Sequence, residues 1–305
     1  MSIYRIAHLS DPHLPPPDGA FGLRDMFTKR LLSRIAWRKK HKVHRPEVLA
    51  ALVADLQAAA PDHVVISGDL TNFASAVEMK AARAWLETLG AAADHTISPG
   101  NHDALVGPDG HERFAIWSPW LGDAGEASFP QVRVRGPVAI FNLCSAVPTA
   151  LHLAAGRLGN DQLQRLDAAL SDPTYAGLFR LVVLHHPPHS GAVSKRKRLE
   201  DQEALRVVLA RRGADLVLHG HAHEALVGSV PGPGGAAIPV LGVPSASAKP
   251  SRHAPARWHQ IEIEPRPEGG YAVRVVARGL SETGTEISEL GRFTLVDLER
   301  RATAA

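Results

Sequence analysis

A layered α/β fold built on mixed β-sheet is what this 305-residue sequence predicts, on three observations. Short apolar, β-branched runs alternate with Ala/Leu-rich stretches of helical spacing through the first two thirds of the chain. The strand-like runs of the last third follow one another without intervening helices, which argues against a purely parallel sheet. Five of the earlier runs stop at Asp, Asn or His residues, a placement that concerns chemistry as much as fold.

Residues 4–9 form the first such run, and 63–67, 94–98, 138–143, 181–184 and 215–218 read likewise as buried strands. Continuous apolar runs this short suit a sheet covered on both faces. Residues 46–60, 74–89, 160–170 and 201–211 carry apolar side chains at helical intervals, and Pro46 stands where a helix's first turn tolerates proline. Further strands are expected at 225–230, 237–243, 257–263 and 271–277. Gly/Pro-rich segments at 15–19, 231–235 and 264–270 are short enough to be turns, and no internal repeat is present. One domain is expected over residues 1–280, with 281–305 as an extension without a motif that packs on it and frays at 302–305.

The single cysteine, Cys144, excludes an intramolecular disulfide and a cysteine-rich zinc site, and reads as a small buried apolar residue. A reducing compartment, by default the cytoplasm, is expected. The N-terminus shows no charged leader followed by an apolar core, and no run of about 18 apolar residues occurs that could span a membrane. A net charge of +3 does not mark the whole chain as a nucleic-acid binder.

The strand ends carry the chemistry. The first is followed by Asp11-Pro12-His13, the second by Ser67-Gly68-Asp69, and the third by Gly100-Asn101-His102-Asp103. Residues 181–184 run into His185-His186-Pro187-Pro188, and 215–218 into Gly220-His221-Ala222-His223. Each block alone is a common turn or a solvated histidine. In open α/β sheets, however, ligands bind beyond the carboxyl ends of strands, so one arrangement gathers all five. Nitrogen and oxygen donors without thiolate suit zinc, iron, manganese or cobalt. Seven donors (Asp11, His13, Asp69, Asn101, His185, His221 and His223) exceed one tetrahedral site, and a carboxylate such as Asp69 can bridge two ions about 3.5 to 4 Å apart.

These blocks, DxH, GD, GNHD, HHPP and GHxH, in this order and each after a strand, resemble the calcineurin-like metallophosphoesterase superfamily over residues 3–245. The resemblance implies a four-layer α/β/β/α sandwich of two mixed sheets with a metal pair at the strand ends. Asp11, His13, Asp69 and His223 would hold one ion, and Asp69, Asn101, His185 and His221 the other, with His186 as the alternative to His185. The implied reaction is in-line attack of hydroxide on phosphorus. Asn101 would orient the phosphate, His102 would protonate the leaving oxygen, and Asp103 would orient His102. Gly68-Asp69-Leu70-Thr71-Asn72-Phe73 and the GNHD block depart from the GDxVDRG and GNHE of protein Ser/Thr phosphatases. The HHPP block, with Gly156-Arg157-Leu158 leading into Gln162-Leu163, is more similar to bacterial class III cyclic-nucleotide and glycerophosphodiester phosphodiesterases.

Two basic stretches stand apart from this pattern. Between Arg24 and Arg45 lie nine Arg/Lys and one Asp, with Leu23, Phe27, Leu31 and Ile35 recurring every four residues. This predicts a basic amphipathic helix within an insert at 21–45. Its plainer role is to cap the site mouth with its apolar side on the core and its charges solvated; its functional role is to meet an anionic membrane surface or to recognise an anionic substrate. Lys195-Arg196-Lys197-Arg198 is read equally as a contact to substrate phosphates or as a solvated loop. The expected partner is a small phosphoester. An alternative is a nucleotide-linked lipid, as for the related UDP-diacylglucosamine pyrophosphatases. Nuclease action is disfavoured by the lack of an aromatic stacking pattern, and a metal-binding scaffold without turnover by the intact donor set. The remaining histidines, among them His44, His189 and His253, are read as structural or solvated, although His189 could approach the site.

Overall fold

The computed structural model describes residues 2–298 apart from 108, 109, 126, 127, 252, 268, 282, 283 and 285. Its elements run in the order β1 (Tyr4–Leu9), α1 (Lys29–Lys40), α2 (Pro46–Ala58), β2 (His63–Ile66), α3 (Ala76–Leu89), β3 (His95–Ile97), α4 (Ser118–Leu121), β4 (Gln131–Arg135) and β5 (Val138–Asn142). There follow α5 (Asn160–Ser171), β6 (Phe179–Val183), α6 (Gln202–Arg212), β7 (Leu216–His219), β8 (Leu226–Pro231), β9 (Ala237–Gly242), β10 (Arg257–Pro265), β11 (Tyr271–Leu280) and β12 (Ile287–Leu298). The expected fraying at 302–305 lies outside the described residues. Among the described residues, no helix is long and apolar enough to cross a membrane.

Two six-stranded sheets result, ordered β12-β11-β10-β1-β2-β3 and β4-β5-β6-β7-β9-β8. Both are mixed, as the sequence predicts. β1, β2 and β3 run parallel in one sheet and β5, β6, β7 and β9 in the other, while β10 to β12, β4 and β8 are added antiparallel. Ile6, Val65, Ile140, Leu181, Leu218 and Ile261 fill the space between the sheets. Leu52, Leu56, Ala82 and Leu86 of α2 and α3 cover the outer face of the first sheet, and Leu163, Leu166, Leu205 and Leu209 of α5 and α6 cover that of the second. The fold is thus a four-layer α/β/β/α sandwich.

Parallel register places the carboxyl ends of the central strands along one rim. Ser10 after β1 and Ser245 after β9 form an isolated parallel bridge, and Ala246 N–H donates to the Ser10 carbonyl at 2.8 Å, joining the sheets there. Nearby, Asn142 Nδ2 donates to the Ile97 carbonyl and Ser98 Oγ to the Leu143 carbonyl, both at 2.7 Å. Buried backbone groups therefore find partners across the junction, as they must where water is excluded.

The sequence reading missed β4 and β12. Both are edge strands, and neither forms the apolar run on which a buried strand is recognised: the buried positions of β4 are the polar Gln131 and Arg133, and residues 289–294 of β12 are exposed. β12 lies within 281–305, where only an extension was expected. The basic insert also differs from expectation. In place of one helix there are two, a 3-10 turn at Leu23–Phe27 and α1, separated by Thr28 in extended conformation, whose side chain caps α1 by accepting from Arg30 N–H. The apolar side does not lie on the core, because the polar side is anchored instead. Lys29 Nζ donates to Thr149 Oγ1 and the Leu153 carbonyl at 2.6 Å, Arg30 to the carbonyls of Phe73 and Ala74 at 2.8 Å, and Ser33 Oγ to the Asn72 carbonyl at 2.9 Å. Leu23 and Phe27 are left 84% and 93% exposed.

Candidate metal centre and cleft

The strand-end blocks reach their places through unusual backbone. Asp11, His13, Asp69, His221 and His223 all have positive φ, between 42° and 65°, and among the described residues only Ala60 and Ala74 share this outside glycine. Left-handed backbone costs a side-chain-bearing residue roughly 1 kcal/mol or more, so surrounding bonds must hold it. Asp11 N–H donates to the Gly68 carbonyl at 2.9 Å, His13 N–H to the Asp69 carbonyl at 3.1 Å, and His221 N–H to Asp11 Oδ2 at 3.0 Å. Gly68 is needed for space: a Cβ there would stand 2.6 Å from His185 Nδ1 and 2.8 Å from Gly100 N.

Asp69 is the meeting point. Its Oδ2 lies 3.5 Å from His185 Nε2 and 3.8 Å from His13 Nε2, while its Oδ1 accepts the His102 N–H at 2.7 Å. Asn101 Oδ1 lies 3.2 Å from His185 Nε2, and His223 Nε2 lies 3.1 Å from Asp11 Oδ1. Donor atoms of Asp69, His185 and His221 fall within 4.8 Å of one another, as do those of Asp11, His13 and Asp69. Two groups that could each hold an ion therefore share one carboxylate.

The surroundings fix which nitrogen of each ring is available. His185 Nδ1 donates to the Ser67 carbonyl at 2.6 Å, leaving Nε2 toward Asp69. His13 Nδ1 faces Asn72 Oδ1 at 3.2 Å, and the Asn72 amide is oriented by donating to the Leu14 carbonyl at 2.7 Å, so His13 Nε2 carries the lone pair. His221 Nε2 donates to the Lys197 carbonyl at 2.9 Å, leaving Nδ1. A second partner that orients each ring is the usual support of a metal-ligating histidine. Among the described residues His13 Nε2 is buried without a hydrogen-bond partner, and Asp11 Oδ1 has the His223 ring beside it at 3.1 Å; an unpartnered buried nitrogen is a costly state that a cation would relieve. The donor set fits a pair of divalent ions.

Protonation points the same way. Burial opposes ionisation of Asp69, yet the imidazoles of His185, His102 and His13 hold its carboxyl well below the usual range; burial likewise opposes ionisation of Asp11, and His223 with His185 lowers it. Burial pushes His13 and His221 well below the ordinary imidazole value, helped by His44 and His186 respectively. Carboxylates charged and imidazoles neutral are the ligating forms. His185 differs: burial lowers it, but the Asp69 carboxylate raises it more, to about 9. That proton occupies the place a cation would take, and metal binding would release it.

Other expected residues separate into those at the site and those beside it. His102 lines a cleft of about 470 Å³ above Asp69, with Nδ1 donating to the Asn72 carbonyl at 3.0 Å. Asp103 makes no bond to that ring, contrary to expectation. It accepts N–H groups of Gly100 at 2.9 Å and Thr71 at 2.8 Å, because two consecutive turns present their donors to it, and so it clamps the Asp69 and Asn101 loops together. Burial and the Asp69 charge push it up to about 7. His186 has Ser145 Oγ 2.8 Å from Nδ1 and the Ala154 carbonyl 3.3 Å from Nε2, which leaves it no free donor atom, unlike His185. His189 packs against His219 outside the cleft.

The sequence reading missed three cleft residues. His44, Lys40 and His253 line it together with Lys197, and Lys40 Nζ stands 3.4 Å from His102 Nε2. Nothing in the local sequence distinguishes them, since they reach the site through tertiary packing of the insert and of the loop after β9.

Comparison with known proteins agrees with this geometry. The calcineurin-like phosphoesterase family profile matches residues 4–225. The chain belongs to that family. This calcineurin-like phosphoesterase is 32% identical over 223 residues, 71% of its own length and 77% of the other's, to a probable cyclic nucleotide phosphodiesterase of Synechococcus sp.. Its fold is similar to a dimetal phosphatase from Danio rerio, with a TM-score of 0.53 at 15% identity over 94% of this chain and 98% of that one. It is also similar to a purple acid phosphatase from yellow lupin, with a TM-score of 0.54 at 13% identity over 96% and 53% of the two chains. The chain is a metal-dependent phosphoesterase, and two groups of its side chains that could each hold an ion have Asp69 in common. Replacing the shared carboxylate in Asp69→Asn should lower bound metal from two ions per chain to one or none by elemental analysis; an unchanged stoichiometry of two contradicts the bridge.

Proposed function

We propose that this phosphoesterase hydrolyses small phosphodiesters, of the cyclic-nucleotide or glycerophosphodiester kind, with two ions drawn from zinc, iron, manganese and cobalt. The observation that carries the reading is the pair of donor groups sharing Asp69 at the floor of a cation-lined cleft, and the cyanobacterial relative supports the diester class. Asp11, His13, Asp69 and His223 would hold one ion; Asp69, Asn101, His185 and His221 would hold the other. When bound, such a pair lowers the pKa of a shared water and neutralises charge building on the phosphoryl oxygens.

The chain supplies the rest. Lys40 and Lys197 face the cleft with positive charge where a phosphate must enter, and Asn101 holds its amide beside His185 to orient that phosphate. His102 turns Nε2 to the cleft beside Lys40 Nζ, the position from which it would give a proton to a leaving oxygen. Burial, with Lys40 beside it, holds this imidazole at about 4. An anionic substrate acts on it in the opposite sense to Lys40 and so favours the protonated ring.

Two measurements test this. Metal-stripped protein reconstituted separately with manganese, zinc or iron should hydrolyse bis(p-nitrophenyl) phosphate faster than p-nitrophenyl phosphate; the reverse preference, or inactivity with every metal, overturns the diester reading. His102→Ala should slow esters of poor alkoxide leaving groups by about 10² to 10⁴ while nitrophenyl esters lose less than about tenfold, because a good leaving group hardly needs an acid. Equal losses on both exclude His102 as the acid.

The insert favours a second element of this reading, peripheral attachment of a cytoplasmic protein to anionic lipid. Exposed Leu23, Met26, Phe27, Leu32 and Ile35 lie in one segment with exposed Arg24, Arg34, Arg38 and Lys42, and Lys39 and Lys40 of the same segment line the cleft. An apolar patch rimmed by cations complements an anionic bilayer surface. The protein should sediment at low salt with phosphatidylglycerol vesicles and not with phosphatidylcholine ones, and Phe27→Asp should abolish sedimentation while leaving soluble diester hydrolysis intact. Failure of the unaltered protein to bind anionic vesicles ends this element.

A further inference from the structure

We propose that His44 is an additional ligand of the ion assigned to Asp11, His13, Asp69 and His223, so that the basic insert carries part of the metal site. This rests on the two-ion reading above. His44 lies between α1 and α2, remote in sequence from every strand-end block, and is buried. Its ring centroid is 4.5 Å from that of His13 and 5.6 Å from that of His223, and donor nitrogens of the three fall within 4.8 Å of one another.

The hydrogen bonds around His44 occupy its Nδ1. Ser245 Oγ donates to the Asp11 carbonyl at 2.6 Å, so toward His44 Nδ1, 3.2 Å away, it accepts. Ser247 Oγ stands 2.9 Å from the same nitrogen. With Nδ1 facing two hydroxyls, Nε2 is the nitrogen left for an ion, and a ring that ligates through Nε2 carries its proton on Nδ1, toward Ser245 and Ser247. Ring and backbone are both held: Trp37 stacks at 12°, His44 forms an isolated antiparallel bridge with Ala248, Arg45 N–H donates to the Ser247 carbonyl at 2.8 Å, and Lys249 N–H to the Val43 carbonyl at 2.9 Å. Ser245 also ties the backbone of Asp11 to His44 directly, so one hydroxyl positions two donors of one ion.

Three imidazoles and two carboxylates around this ion favour zinc, iron or cobalt over manganese or magnesium, which prefer oxygen. The test is binding, not turnover. Apoprotein is titrated with Co²⁺ against a chelator, and proton spectra of the loaded protein are examined for paramagnetically shifted, exchangeable imidazole N–H signals. The unaltered protein should take up two ions. His44→Gln should weaken one of them by about 10- to 100-fold, leave the other unchanged, and lose one shifted N–H signal. Ser247→Ala, which keeps the ring, should retain that signal while weakening the same ion less. Equal affinities and an unchanged signal count in folded His44→Gln overturn the proposal while leaving the two-ion reading intact. Fewer than two ions in the unaltered protein removes both.

Discussion

Everything at this site depends on how one carboxylate is held. Asp69 follows a glycine out of β2, turns through left-handed backbone, and presents one oxygen to two imidazoles while the other is fixed by the His102 amide. Burying such a group is unfavourable unless its charge is matched, and the match here comes from His13, His102 and His185 at three other strand ends, not from one neighbour. The register of β1 with β2 and of β2 with β3 is what brings those ends level. A shift of one residue in either pairing would turn Asp11 or Asn101 away from the rim.

Turn geometry and glycine spacing then do locally what the sheets do globally. A Cβ on Gly100 would run into Asp69, and one on Gly220 into Ser10 and Asp11. Asp103 and Glu78 act as paired clamps behind the site. Asp103 gathers the N–H groups of Gly100 and Thr71; Glu78, at the start of α3, gathers those of Asn72 and Ser75. Asn72 in turn orients both His13 and His102, through its side chain and its carbonyl. The loop after β2 is therefore rigid for reasons carried by residues that never reach the cleft.

This division explains what was legible in the sequence. The central strands were visible because burial on both faces leaves uninterrupted apolar runs such as His63–Ile66 and Val138–Asn142, and their ends were visible because donors after a strand have few structural reasons to cluster. The edge strand Gln131–Arg135 was not, since its buried positions are the polar Gln131 and Arg133 and Val134 faces outward. Asp103 misled for a related reason: adjacency to His102 in sequence suggests contact, but the turn sends the carboxylate inward and the imidazole outward. His44 and Lys40 could not have been chosen by any local rule. Only the packing of the insert shows them beside Asp69.

The insert is accordingly more than a cover. An amphipathic helix ordinarily buries its apolar stripe because that is where the free energy lies. Here α1 is secured by Lys29, Arg30 and Ser33 to carbonyls of the loops beneath it, and part of its apolar surface is left facing solvent. Those carbonyls belong to Asn72, Phe73 and Ala74, the continuation of the Asp69 loop, and to Leu153, which neighbours the cleft residue Ala154. Any movement of α1 would thus be felt at the loop that orients His13 and His102, and through His44 and Ser245 at the backbone of Asp11. The same polar contacts that prevent the helix from burying its stripe couple the outer surface of the protein to its metal donors. A surface that gained free energy by covering that stripe would do so without breaking those contacts, so the proposed attachment would leave the candidate metal donors in place.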